Sequence, residues 1–191
     1  MIYIFDDMDS YSEVQLERDM VELPWQRRQQ AEKFSFVEGR KECVLAYRLL
    51  CDALRKEFGV ERVPEFEYNE HGKPSLAGRP DIGFNLSHCR RAVACIVGRG
   101  RVGIDVERIG RFSEALARHV LNDDEYRQVT EAEDRETAFI VFWTRKEALV
   151  KYLGTGITDN LKEVLNEYSD VKIKTEIRKD KGYVVSWCGK L

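Results

Sequence analysis

The hydrophobic pattern changes period several times along the chain. Ile2, Tyr3, Ile4 and Phe5 form a short apolar run that turns acidic at Asp6 and Asp7, which predicts a first strand. Ser12 is placed to cap a short helix running to Glu22, and Pro24 opens a second one, from Trp25 to Lys33. Between 36 and 57, Val37, Val44, Leu45, Leu49, Ala53 and Leu54 recur near helical spacing and Gly59 follows. That spacing predicts a long helix stopped by the glycine. Residues 69–74, Asn-Glu-His-Gly-Lys-Pro, have turn composition. Three strands are predicted after them, at 82–86, 92–97 and 102–107, with Gly98-Arg99-Gly100-Arg101 as a hairpin turn between the last two.

The second half repeats this order. Ser113 is a cap for a helix over 114–121, a short helix follows Asn122, and Asp134 opens a long helix to about Leu153, before Gly154-Thr155-Gly156. Two strands, 171–177 and 183–187, close the chain. The expectation is an α+β fold of two similar halves, 1–99 and 100–191, related by a pseudo-twofold axis. Each half carries a long helix on a small, mostly antiparallel sheet. No residue-level repeat accompanies the order of elements.

Composition narrows the function classes. In 191 residues, charged side chains make up 34% and hydrophobic ones 43%, with a net charge of −3. These values exclude a disordered tail, a collagen-like fibre and a histone-like nucleic-acid binder. No apolar run approaches the ~20 residues that span a bilayer, and the acidic turn after Phe5 argues against a signal peptide. Cys43, Cys51, Cys89, Cys95 and Cys188 are odd in number and form no CxxC pair, so a disulfide framework is not expected and a reducing cytoplasm is. With only His71, His88 and His119, a histidine-rich metal site is unavailable.

Charge is unevenly spread. Asp6, Asp7, Asp9, Glu13, Glu17, Asp19 and Glu22 are opposed only by Arg18 in the first 22 residues. Residues 71–111 are basic: Lys73, Arg79, Arg90, Arg91, Arg99, Arg101, Arg108 and Arg111 against Asp81, Asp105 and Glu107. The basic middle suits either a local anionic ligand or a set of solvated loop charges.

Three segments carry candidate chemistry. In Val102-Gly103-Ile104-Asp105-Val106-Glu107, strand alternation puts Val102, Ile104 and Val106 on one face and Gly103, Asp105 and Glu107 on the other. Two carboxylates then point the same way and repel, a conflict that a hard cation such as Mg²⁺ removes; a solvated edge-strand face explains the alternation equally. In 142–151, Trp143, Glu147 and Lys151 lie at i, i+4 and i+8. That is either an ordinary surface pair or, given Phe142 and Trp143, a partly buried face offering a third carboxylate and an ammonium. In Phe84-Asn85-Leu86-Ser87-His88, Ser87 and His88 offer donors to a phosphate oxygen; nothing resembles a nucleophile elbow. His88 could equally be a structural hydrogen-bonder.

In this order and spacing, Gly72-Lys73-Pro74, Phe84–His88, Val102–Glu107, Phe142-Trp143-Thr144-Arg145-Lys146-Glu147-Ala148-x-x-Lys151 and Gly154-x-Gly156 resemble the signature blocks of the 4′-phosphopantetheinyl transferases, in particular the two-halved, surfactin-synthetase-activating type. The blocks run from 72 to 156. The resemblance implies Mg-dependent transfer of the 4′-phosphopantetheine arm of coenzyme A to a serine of an apo acyl or peptidyl carrier protein, with release of adenosine 3′,5′-bisphosphate. By the same analogy, Asp105, Glu107 and Glu147 would hold Mg²⁺. Lys151 would neutralise a phosphate or the leaving group. Ser87 and His88 would contact the coenzyme A phosphates, Lys73 the adenine and ribose, and Arg40 the nucleotide. Arg27, Arg28 and Lys33 are further candidates for the 3′-phosphate. Glu125 is the nearest match to the general base, with Glu147 or a metal-bound water as alternatives; a helix first turn stabilised by its dipole also explains its position. Such an enzyme is expected to work in the cytoplasm as a monomer, without nucleic acid or membrane. Arg90, Arg91, Arg108 and Arg111 would steer an acidic carrier. A metal-dependent phosphoesterase and a non-catalytic nucleotide binder are the competing readings of the same residues.

Overall fold

A computed structural model describes residues 1–63, 65–156 and 160–190. The chain opens with β1 (Ile2–Phe5), α1 (Glu13–Glu22) and α2 (Trp25–Glu32), followed by the long helix α3 (Val37–Phe58). A small hairpin, β2 (Phe66–Tyr68) and β3 (Pro74–Leu76), precedes β4 (Ile82–Cys89), β5 (Ala92–Arg99) and β6 (Val102–Arg108). Then come α4 (Glu114–Val120), α5 (Asp123–Glu131), the second long helix α6 (Arg135–Leu153), α7 (Val164–Glu167), β7 (Ile173–Arg178) and β8 (Tyr183–Gly189).

Local chemistry sets the helix limits. Ser12 and Asn122 form capping boxes with Gln15 and Glu125, and Asp134 accepts from the Thr137 N–H at the start of α6. Gly59 and Gly154 stop α3 and α6 in the left-handed conformation, at φ 64° and 75°. The β2–β3 hairpin around the 69–74 turn and the short α7 have no clear periodic signal in the sequence.

Two three-stranded sheets organise the chain, with strand orders β1-β5-β4 and β6-β8-β7 and every pairing antiparallel. In each sheet the first strand pairs with the last in sequence, the last pairs with the one before it, and the long helix comes between them. The fold is α+β, as expected. The expected hairpin between β5 and β6 is not formed: β5 pairs with β1 and β4, β6 with β8, and Gly98–Arg101 carries the chain from one sheet to the other.

β5 explains the arrangement. Val93, Cys95 and Val97 pack on the α3 side, whereas Ala92, Ala94 and Ile96 meet Val102, Ile104 and Val106 of β6 and Tyr183 and Val185 of β8. A strand buried on both faces reads as a nearly continuous apolar run, Ala-Val-Ala-Cys-Ile-Val. The free edge of β6 is covered by side chains of β4: Ile104 N–H donates to Asn85 Oδ1 (2.9 Å) and Val106 N–H to Ser87 Oγ (3.2 Å). These bonds satisfy buried backbone groups and place β6 beside β4 without a ladder.

Candidate functional site

The inward face of β6 rests on α6. A β-carbon on Gly103 would stand 2.1 Å from the Ala148 carbonyl oxygen and 2.5 Å from the Tyr152 nitrogen, so only glycine permits this approach. The close contact brings Asp105 and Glu107, on the same face as Gly103, against Trp143, Glu147 and Lys151 of α6.

Asp105 is 2% exposed. Its Oδ1 accepts from Lys151 Nζ (2.5 Å) and from Ser87 Oγ (2.9 Å), and Lys151 also donates to Ser87 Oγ (3.2 Å). Glu107 Oε1 lies 3.4 Å from Trp143 Nε1. Burial, and then the charge of Asp105, push the carboxyl pKa values of both Glu107 and Glu147 upward, while the Lys151 ammonium pulls the other way. Asp105 Oδ2 and Glu147 Oε1 are buried with no hydrogen-bond partner among the described residues. Beyond Asp105 in the ladder, Ser186 shares hydroxyl contacts with Thr144 (2.8 Å) and Thr175 (2.9 Å).

No group of three His, Cys, Asp or Glu side chains is already closed to metal-ligating geometry among the described residues. The donor set nevertheless fits a hard divalent cation. Burial and the charge of Asp105 raise the cost of ionising Glu107 and Glu147, one ammonium only partly offsets this, and Asp105 Oδ2 and Glu147 Oε1 are buried without a donor among the described residues.

A cavity of about 230 Å³ opens beside these groups. It is lined by His71, Gly72, Lys73 and Pro74 of the β2–β3 turn, by Asn85, by Glu147, Val150 and Lys151, and by Gly154 and Gly156. The turn is tied to the end of α6, because Asn69 Nδ2 donates to Gly154 O (2.9 Å). Lys73 Nζ donates to the carbonyls of Val102 (3.2 Å), Tyr152 (3.2 Å) and Lys151. All three ammonium donors are thereby occupied, and burial lowers the Lys73 pKa. The stem of Lys73 lines the cavity, while its ammonium clamps β6 to α6.

Other expected residues are placed elsewhere. Ser87 joins Asp105 and Lys151, whereas His88 turns toward α3, where its Nδ1 is 2.8 Å from Glu42 Oε2. Arg40 donates to Phe34 O (3.2 Å) and borders a separate concavity with Met20, Arg28 and Glu32. Arg28 holds the Met20 carbonyl (2.9 Å), and the Arg27 guanidinium lies over the rings of Tyr47 (5.2 Å) and Phe66 (5.5 Å).

Glu125 does not reach the carboxylate cluster. It is 5% exposed; its Oε2 accepts from Asn122 N–H (3.0 Å) and pairs with Lys146 Nζ (2.8 Å). Lys146, fully buried, also donates to the carbonyls of Leu161 (2.9 Å) and Lys162 (2.7 Å). Oε2 belongs to a structural lock joining α5, α6 and the turn before α7, a structural role that competes with the expected one as a base. The sequence contains a signal for that lock, since Lys146 falls at helical spacing with the buried Leu149 and Val150. Asn85 was likewise visible only as a polar residue alternating with Phe84 and Leu86.

Comparison with known proteins identifies the chain's relatives. The family model of the 4′-phosphopantetheinyl transferase superfamily matches residues 101–190. A 4′-phosphopantetheinyl transferase of Bacillus pumilus, psf-1, is 31% identical over 157 residues, covering 80% of this chain and 67% of that protein. A Bacillus subtilis 4′-phosphopantetheinyl transferase is 26% identical over 145 residues, covering 74% and 65%. The 4′-phosphopantetheinyl transferase HetI of Nostoc is 31% identical over 156 residues, covering 76% and 66%. The chain spans about two thirds of the length of these relatives.

Proposed function

The chain belongs to the 4′-phosphopantetheinyl transferase superfamily, and on that premise we propose that it transfers the 4′-phosphopantetheine arm of coenzyme A to a serine hydroxyl of an apo acyl or peptidyl carrier protein. The observation that carries this reading is the meeting of Asp105, Glu107, Glu147 and Lys151 beside the cavity between the β2–β3 turn and the end of α6.

In the proposed reaction the serine oxygen forms a bond to the phosphorus bearing the pantetheine arm. The bridging oxygen of the pyrophosphate leaves with adenosine 3′,5′-bisphosphate. Asp105, Glu107 and Glu147 would hold Mg²⁺, which supplies charge neutralisation on the pyrophosphate. Lys151, anchored on Asp105 and Ser87, brings a positive charge to the leaving phosphate. Ser87 orders Lys151 and Asp105 through its hydroxyl, and Lys73 holds the cavity wall in place. Glu147, which lines the cavity, would accept the serine proton directly or through water.

We read residues 1–99 and 100–191 as the two halves, with the site at their junction. Arg90, Arg91, Arg108 and Arg111 are exposed and form no ion pair among the described residues, which suits guidance of an acidic carrier. Five free cysteines suit a reducing compartment. Among the described residues no helix is long and apolar enough to cross a membrane.

The test is intact-mass analysis of a panel of apo carriers incubated with the protein, coenzyme A and Mg²⁺. A carrier that gains one phosphopantetheine arm supports the reading. Nucleotide release from coenzyme A with every carrier unchanged would assign the site to a phosphoesterase instead.

A further inference from the structure

Glu42 stands early in α3, and its Oε2 lies 2.8 Å from Nδ1 of His88 near the end of β4. Its side chain is 12% exposed, whereas that of His88 is 37% exposed. An ionised carboxylate only accepts, so Nδ1 is the nitrogen that carries the proton in this contact. The contact fixes the plane of the ring and leaves Nε2 as the nitrogen without a partner among the described residues. Ser87, one residue earlier, faces the other way, to Asp105 and Lys151.

We propose that Glu42 is a positioning residue for coenzyme A binding: it holds His88 through Nδ1 so that Nε2 is presented to a phosphate. This rests on the reading of His88 as a coenzyme A contact. When both ring nitrogens carry protons, Nδ1–H is held by Glu42 and only Nε2–H is left to donate to an anion. The arrangement is that of a metal-site histidine oriented by a carboxylate behind it, with a phosphate in place of the metal. The charge of Glu42 would oppose a nearby phosphate if it faced it directly; directed at Nδ1, it meets the ring instead.

The test is calorimetric titration of coenzyme A into the whole protein and its His88→Ala, Glu42→Ala, Glu42→Gln and double-alanine variants, with carrier-loading kinetics alongside. Circular dichroism confirms that each is folded. His88→Ala is expected to weaken binding about tenfold, the loss of one charge-assisted hydrogen bond. Glu42→Ala should lose a comparable factor, and the double variant no more than His88→Ala alone. Glu42→Gln keeps an acceptor at the same place and should recover most of the affinity. The loss should fall on KM for coenzyme A rather than on kcat. Full affinity in Glu42→Ala beside a weakened His88→Ala overturns the inference alone, as does tighter binding in Glu42→Ala, which would mark the carboxylate as a repulsive neighbour. Full affinity in His88→Ala overturns the reading of His88 and the inference together.

Discussion

Gly103→Ala tests the link between packing and chemistry. The added β-carbon would lie 2.1 Å from the Ala148 oxygen, 2.5 Å from the Tyr152 nitrogen and 2.9 Å from the Tyr152 α-carbon. All three are backbone atoms of α6, so no side-chain rotation relieves the overlap. The strand and helix must separate, and overpacking of this kind costs up to about 3 kcal/mol. Asp105 and Glu107 sit two and four residues along the same strand, opposite Glu147 and Lys151 one turn apart on α6. A displacement of about 1 Å between reacting groups costs about a hundredfold in rate. The assay pairs thermal unfolding with carrier loading measured well below the transition temperature. A lowered transition together with a loading rate reduced by about two orders of magnitude is expected. An alanine variant with unchanged stability and unchanged loading would refute the claim that close approach of β6 and α6 builds the site.

Four further outcomes follow from the buried charges. Glu147→Gln removes one of three mutually repelling carboxylates, so the metal-free protein should gain about 1 kcal/mol while losing loading activity, the usual exchange of stability against function. Because burial and Asp105 raise the Glu107 and Glu147 pKa values in the folded state, their ionisation destabilises the metal-free protein as pH rises from the ordinary carboxylate range through those raised values; the thermal gain from added Mg²⁺ should grow over the same interval, and a pH-independent gain would contradict this. Lys146→Met leaves Glu125 buried without its cation and should cost about 3 kcal/mol in denaturant unfolding, with much of it recovered by adding Glu125→Gln. Glu125→Gln alone should keep most loading activity, whereas a loss of about 10²–10⁴-fold would restore it as a general base.

Much of the fold was legible because its signals are local. The periodic apolar positions of α3, the caps Ser12, Ser113, Asn122 and Asp134, and the C-terminal Gly59 and Gly154 mark their helices directly. Pairing is a longer-range property. Gly98–Arg101 has hairpin composition, yet the two-sided burial of β5 between α3 and the second sheet sends β6 away to β8. At the site, alternation along β6 placed Asp105 and Glu107 together, and helical spacing placed Glu147 with Lys151. What spacing could not reveal is which charges are already satisfied. Lys73 and Glu125 look like free chemistry in the sequence, but backbone carbonyls hold one and Lys146 holds the other. Glu42 carries no motif, and only the packing of α3 beside β4 brings it to His88.

The most direct test of the central claim is an intact-mass time course of an apo carrier with coenzyme A and Mg²⁺, run with the native protein, with Asp105→Ala and with a chelator present. A mass gain of one phosphopantetheine arm is expected with the native protein and Mg²⁺ only. An equal gain with Asp105→Ala, or with the chelator, would contradict it.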